Sequence, residues 1–260
     1  MSVEGWATEW RVETRRETVA ELHAPDVPDA PTPTIWLMDP IDTALVLGSR
    51  QRDLVISPDE LAARGLSLVH RRSGGGAVLI DASTRWVDVL VPAAGPAWGG
   101  DLTEAFRVVG KHWQRAFSSH GIETRVWNDR PTSGDFSEAV CFAGMGWGEL
   151  ALVDSPGVAT SAPRGLGAAA LSGTTKVLGL SQRRTRWGTR LQCLIVNRDH
   201  TQDVAAILGR PEARTPQRAQ PGSPHALSMH SSEAASTVEL FAADTLAALV
   251  EAFVRQLSTD

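Results

Sequence analysis

The sequence predicts an α+β protein with a central, mostly antiparallel sheet flanked by helices. Short apolar runs bounded by turn residues recur from residue 34 onward, which is the pattern of strands. Helical signals fall between them irregularly, without the strict alternation of a doubly wound sheet. The chain has 260 residues, 42% of them hydrophobic, enough to build a sizeable core in one large domain or two small ones.

Residues 1–30 are polar and proline-spotted and read as an N-terminal extension with one helix over about 8–22. Strands are expected at 35–38, 44–47, 67–70, 77–80, 87–91, 123–126, 149–153, 176–180 and 191–196. Ser57-Pro58-Asp59-Glu60 is a capping box with proline at the first helical position, and it opens a short helix ending at 64. Asp101-Leu102-Thr103-Glu104 opens a longer helix to 119, where Leu102, Phe106, Val109, Trp113 and Phe117 share one face. A short helix is expected at 203–208. Ser236-Thr237-Val238-Glu239 caps the last one, whose Leu240, Leu246, Leu249, Val250 and Phe253 form an apolar stripe ending near 257. Segment 154–170 reads as a surface loop and 209–235 as a linker. The domain reading is therefore 31–208 for the main domain, then the linker, then the helical segment 236–260.

Composition narrows the function. A formal net charge of −5 argues against a nucleic-acid partner, which needs a broad basic face. No apolar run reaches the length of a membrane span, and the N-terminus has no apolar targeting core, so a cytoplasmic location is expected. Two cysteines, Cys141 and Cys193, are too few for a disulfide framework, and the seven histidines show no metal-ligand spacing, so no metal site is expected. Lys111 and Lys176 are the only lysines among 25 cationic residues. Lys111 sits on the solvated face of a helix; Lys176 lies in a glycine-bearing strand, where a compact ammonium has a use that a planar fork does not.

Two runs carry chemical promise. Arg71-Arg72-Ser73-Gly74-Gly75-Gly76-Ala77-Val78 sets two arginines and a triple glycine between strands, either an anion cradle of backbone N–H groups or a hairpin turn with solvated arginines. Lys176-Val177-Leu178-Gly179-Leu180-Ser181-Gln182-Arg183 places a glycine inside a strand, a sign of close approach by a ligand or simply of an edge hairpin. Cys141 reads either as a small buried hydrophobe or as a nucleophile whose thiol is activated by a nearby cation such as Lys176; Cys193 reads as packing. Gly165-Leu166-Gly167-Ala168-Ala169-Ala170 fits a dinucleotide fingerprint only formally, since no strand precedes it.

Together the two runs resemble the lipoate-protein ligase A family of the biotin/lipoate protein ligase superfamily. Arg71–Val78 matches its arginine and triple-glycine hallmark, and Lys176–Arg183 its lysine strand. Leu47-Gly48-Ser49-Arg50-Gln51 looks like its early Gly-x-x-Gln element, and Trp127-Asn128-Asp129 lies where it has an Arg-Asn-Asp turn. The resemblance covers roughly 34–208 and implies a catalytic domain like that of class II aminoacyl-tRNA synthetases and biotin ligases. It implies ATP- and Mg2+-dependent attachment of lipoate, or a related medium-chain acid, to a lysine of a lipoyl carrier domain through an acyl-adenylate. The carriers implied are lipoyl domains of 2-oxoacid dehydrogenases or the glycine-cleavage carrier protein. On that reading Lys176 is catalytic and Cys141 lies near the pocket. Arg71, Arg72, Ser73, Gly74, Gly75, Gly76, Ala77, Asn128, Asp129, Gly179 and Ser181 bind substrate.

Cys141-Phe142 with Trp147, Glu149 and Leu150 also looks like the cysteine loop of octanoyltransferase relatives, which use a cysteine thioester and no ATP. The alternative is therefore an octanoyl-acyl-carrier-dependent transferase with Cys141 as nucleophile. Those relatives commonly replace the third glycine, so the retained Gly76 favours the ligase. A non-catalytic protein that binds an acyl group or carrier is a third reading. Arg183, Arg184, Arg186 and Arg190 are expected either to form a basic strip for an acidic carrier or to be a solvated face.

Overall fold

The computed structural model describes residues 10–29, 32–93, 103–132, 138–153, 175–209 and 239–259. The expected loop 154–170, its dinucleotide-like run, nearly all of the linker 209–235, and the capping residues Asp101, Leu102, Ser236, Thr237 and Val238 lie outside them. In chain order the elements are β1 (Arg11–Glu17), α1 (Val19–His23), β2 (Thr34–Pro40), β3 (Ala44–Leu47), α2 (Pro58–Ala63), β4 (Ser67–His70), β5 (Val78–Ile80) and β6 (Thr84–Pro92). Then follow α3 (Glu104–Ser118), β7 (Thr124–Val126), β8 (Leu150–Leu152), β9 (Lys176–Thr185), β10 (Gly188–Val196), α4 (Thr201–Ile207) and α5 (Ala243–Thr259).

Seven strands form one sheet in the order β1-β2-β6-β10-β9-β8-β7, and three form a second in the order β4-β3-β5. Among the described strands, β1–β2 and β3–β4 pair in parallel and the other pairs are antiparallel. The expected α+β class with a largely antiparallel sheet is what the fold shows.

The helix expected over 8–22 is not there. Residues 11–17 instead pair with β2, and only after Thr18 does the chain turn helical. Thr18 accepts from the Glu21 backbone N–H while the Glu21 carboxylate accepts from the Thr18 N–H, a reciprocal cap. The charges of Arg11–Glu17 suit an outer strand, where polar side chains blunt an exposed edge. β9 and β10 also run beyond the expected spans, because the arginine- and glutamine-rich stretch after Leu180 lacks an apolar signature yet holds its ladder bonds to β10.

One face of the large sheet packs on α3 and α5, where the Trp113 and Phe253 rings stack at 3.8 Å and 5°. The other face meets α1 and the small sheet through Leu22, Trp36, Met38, Val46, Val78, Ile80 and Trp86. The candidate site lies in that second layer.

Candidate functional site

Two glycine contacts set the site's backbone. A Cβ on Gly48 would fall 1.9 Å from the Gly75 carbonyl oxygen, and one on Gly76 would fall 2.8 Å from the backbone of Ala139 and Val140. Gly75 itself holds φ +98°, a region that disfavours side chains. The triple-glycine turn is thus pressed between the loop after β3 and the segment leading to Cys141. The Ala77 N–H donates to Ala139 O at 2.7 Å and the Cys141 N–H to Ala77 O at 2.9 Å. Buried Gln51 completes the seam, accepting from the Gly48 N–H and donating to Ala139 O, both at 2.9 Å.

Arg71 is buried, and its guanidinium donates to Gly74 O at 2.9 Å and to Gly76 O at 2.8 Å. It lines the same cleft as Cys141. Burial pulls the guanidinium below its usual range, while the thiol and the Glu149 carboxylate act the other way. Arg72 points elsewhere, pairing with Asp26 at 2.9 Å. Arg71 therefore serves the turn, and Arg72 a surface carboxylate, where the cradle reading had both facing a ligand anion.

Lys176 occupies the opposite side of the cysteine loop. Its ammonium donates to Glu149 Oε2 at 2.6 Å, Cys141 O at 2.8 Å and Gly144 O at 2.9 Å. An ammonium has three N–H groups, and here each has a protein acceptor. Glu149 also accepts from the N–H of Gly146 at 2.5 Å and of Leu180 at 3.0 Å. The pair clamps the single 3-10 turn Cys141–Ala143 against β9. Gly179 leaves room for that turn: a Cβ there would lie 3.0 Å from the Phe142 ring and 3.7 Å from Cys141 Sγ.

Beside the half-buried thiol opens a cleft of about 370 Å3, counted with its mouth. Val78, Ile80, Trp86, Leu180 and Leu194 give it apolar walls, and His23, Arg71, Ser181 and Gln192 its polar groups. Buried Ser73 donates to Gln192 Oε1 at 2.5 Å, and Ser181 Oγ lies 3.0 Å from Ser73 Oγ. The cleft thus gathers Arg71, Gly179, Ser181 and Cys141, with Ser73 behind them. Asn128 and Asp129 sit on an exposed turn after β7 and do not line it.

His23 and Gln192 carried no sequence signal. Arg190 corrects another expectation. It is 3% exposed, forms an ion pair with fully buried Asp88, and donates at 2.7 Å to Pro25 O and to Leu22 O. It anchors the end of α1 rather than joining a surface strip. Arg183 pairs with Asp26 at 3.3 Å. Burial pushes the Asp88 carboxyl up, with Arg190 opposing.

The adenylate reading requires cations turned toward phosphate or carboxylate oxygens. Arg71, Arg72 and Lys176, expected to meet those oxygens, are each engaged by protein acceptors among the described residues.

Comparisons with known proteins agree with this architecture. The octanoyltransferase LipM of Staphylococcus aureus is 30% identical over 112 residues, spanning 41% of this chain and 40% of that protein. LipM of Macrococcus caseolyticus is 31% identical over the same shares. The chain thus matches about two fifths of the length of these relatives. Among solved structures, a bipartite lipoate protein ligase of Thermoplasma acidophilum superposes with TM-score 0.55 at 13% identity, covering 97% of this chain and 85% of that one. A lipoate-protein ligase A bound with ATP gives 0.52 at 14%, covering 96% and 85%. At such identities the structures show the shared fold. The family described as the lipoyl protein ligase A/B catalytic domain matches residues 16–254, and the chain belongs to that family.

Proposed function

We propose that the protein transfers a medium-chain acyl group from an acyl-carrier thioester to the lysine of a lipoyl carrier domain, through a thioester on Cys141. The observation that carries this reading is the half-buried Cys141 thiol at an apolar cleft that Arg71 also lines, while the Lys176 ammonium is fully engaged. The likeness to octanoyltransferases points the same way.

In the first step the Cys141 sulfur attacks the donor thioester carbon. A new C–S bond forms, the carrier thiol departs, and it takes up the proton lost by Cys141. In the second step the acceptor lysine amine attacks the Cys141 thioester. An amide forms, the Cys141 sulfur leaves, and the amine's proton returns to it. Arg71, which lines the same cleft, supplies positive charge near the reacting sulfur. No phosphoryl chemistry is needed.

The ATP-dependent ligase reading rested on Lys176 and on the retained Gly76. The packing of Gly76 against Ala139 and Val140 gives that glycine a structural reason independent of ATP. ATP use is supported by the sequence resemblance and by the ATP-bound fold relative.

The test is intact mass spectrometry of an apo lipoyl domain, from either a 2-oxoacid dehydrogenase or the glycine-cleavage carrier protein. One reaction contains octanoyl-acyl-carrier protein without ATP; the other contains lipoate with Mg2+ and ATP. Octanoyl gain without ATP, with an adduct on Cys141 that Cys141→Ala abolishes, is expected. Gain only with ATP overturns the proposal in favour of the ligase. No gain in either reaction favours a non-catalytic binding role.

A further inference from the structure

Three residues that line the cleft have neighbours that meet outside it. His23, Arg71 and Ser181 line the cleft, and Asp26, Arg72 and Arg183 follow them three, one and two positions on. Arg72 Nη1 donates to Asp26 Oδ2 at 2.9 Å. Arg183 donates to Asp26 Oδ1 through Nε at 3.3 Å and to Oδ2 through Nη2 at 3.5 Å. One carboxylate thus bridges two guanidiniums, and the cluster keeps a net positive charge.

The bridge is open to solvent. The side chains of Arg72, Asp26 and Arg183 are 49%, 39% and 40% exposed, and ion pairs so exposed are weak and readily exchanged. Each guanidinium carries five N–H groups, of which Arg72 spends one on Asp26 and Arg183 two. Among the described residues no other acceptor meets either fork. The backbone beneath is fixed, because buried Arg190 donates to Pro25 O and Leu22 O, and the Val27 N–H donates to Asp26 Oδ1 at 3.0 Å. The two forks therefore stand side by side in an arrangement that already suits a carboxylate.

Arg184 and Arg186 follow in β9 and its turn, while the chain as a whole carries −5. An acidic partner is repelled by the molecule at large and admitted where arginine gathers. Gly179, Ser181 and Arg183 share one face of β9, and Gly179 lies against Cys141 Sγ, so Arg183 stands about 13 Å along the strand from that point. An acceptor lysine, on a stem of four carbons, needs its domain seated over the sulfur. A donor that presents its thioester on a longer arm docks to one side. We infer that Arg72 and Arg183 form the docking point for a surface carboxylate of an acidic acyl-carrier protein, and that Asp26 is the internal stand-in for it. The inference rests on the acyl-transfer reading for the identity of the partner.

Fluorescence anisotropy of a labelled acyl-carrier protein, bearing its arm but no acyl group, titrated with the full chain tests this. Arg72→Gln and Arg183→Gln should each weaken binding about fivefold. Asp26→Asn, which frees both forks, should tighten it about threefold. The opposite signs decide, because a purely structural bridge would make all three changes weaken binding. In the unmodified protein, affinity should fall several-fold between ~0.05 and ~0.5 M salt. A thermal melt of each variant checks folding. No binding of the carrier, salt-independent affinity, unchanged affinity in the arginine variants, or weaker binding in folded Asp26→Asn each overturns the inference. So does a response confined to an apo lipoyl domain, which would seat the acceptor there instead. Binding in this pattern without transfer would sink the transfer reading alone; transfer by a protein whose carrier affinity ignores these three changes would sink the inference alone.

Discussion

Lys176 Nζ lies 2.6 Å from Glu149 Oε2, and both side chains are only 6% exposed. This ion pair joins the first residue of β9 to the loop that carries Cys141, with the carbonyls of Cys141 and Gly144 completing the ammonium's shell. Removing one partner strands the other charge in the interior. Lys176→Met should therefore destabilise the fold by about 3–5 kcal/mol, the range for a broken buried pair. The double variant Lys176→Met/Glu149→Gln, which neutralises both, should be more stable than Lys176→Met alone. Urea unfolding of the parent, Lys176→Met, Glu149→Gln and the double variant measures this, and strict additivity of the two single losses would disprove the coupling.

The glycine triplet separates into positions with different burdens. A methyl at 76 meets backbone atoms at 2.8 Å, whereas one at 74 meets nothing within 4 Å. Gly76→Ala should lower stability by about 1–3 kcal/mol, because backbone must move. Gly74→Ala should stay within ~0.5 kcal/mol of the parent. Comparable melting temperatures for the two variants would refute this account of the turn.

That turn was legible in the sequence because glycine advertises its backbone demand directly. Lys176 was legible for a different reason: among so many arginines, a lysine marks a place where a compact cation is held. Its partners were less visible, and the sequence assigned it to a substrate oxygen where the fold gives it Glu149 and two carbonyls. His23 lies 169 positions from Gln192, and Arg190 lies 102 from Asp88. No local period or motif links residues that only β-sheet register brings together. Arg190 in particular reads as one more arginine of a basic run until β10 turns it inward. β1 was missed because its charged residues alternate on an outer strand and imitate a solvated helix.

His23 also governs behaviour in acid. Burial, then Arg190 and Arg71, lower its pKa from 6.5 to about 2. Between those limits the unfolded chain binds a proton that the folded chain excludes, so stability falls as pH drops below 6.5, by ~1.4 kcal/mol per unit. His23→Gln should flatten the dependence of the urea midpoint on pH between 6.5 and about 4. An unchanged slope would contradict a neutral buried imidazole.

His200 works in the opposite sense. Burial lowers its pKa, but Asp81, whose Oδ2 lies 3.0 Å from Nε2, and Asp203 outweigh that and the net direction is up. The stability it adds is present below its ordinary 6.5 and is lost as pH rises through the elevated folded value. Asp81→Asn should therefore reduce stability more at pH near 5 than at pH near 9. Equal losses at both would mean the pair contributes through shape alone.

Arg71 and Cys141 offer the most direct probe of the proposed chemistry, because the protein carries its own control. Cys193 is fully buried, and burial pushes its thiol far up, so it should resist iodoacetamide in the folded chain and react once the chain unfolds. Half-buried Cys141 should react in the folded chain. Arg71→Met removes the cation that lines the cleft with the thiol and, on the acyl-transfer reading, should slow Cys141 alkylation several-fold at neutral pH. It also leaves the carbonyls of Gly74 and Gly76 without their donor, which should lower stability by about 1–3 kcal/mol. Arg71→Lys keeps the charge but loses the fork that spans both carbonyls, so it should recover part of the reactivity and little of the stability. If Cys141 reacts as fast in Arg71→Met as in the parent while Cys193 stays protected, the guanidinium has no hold on the thiol. A turn loosened by the substitution would instead expose Cys193 as well, and counting the alkylated sites by mass separates the two causes.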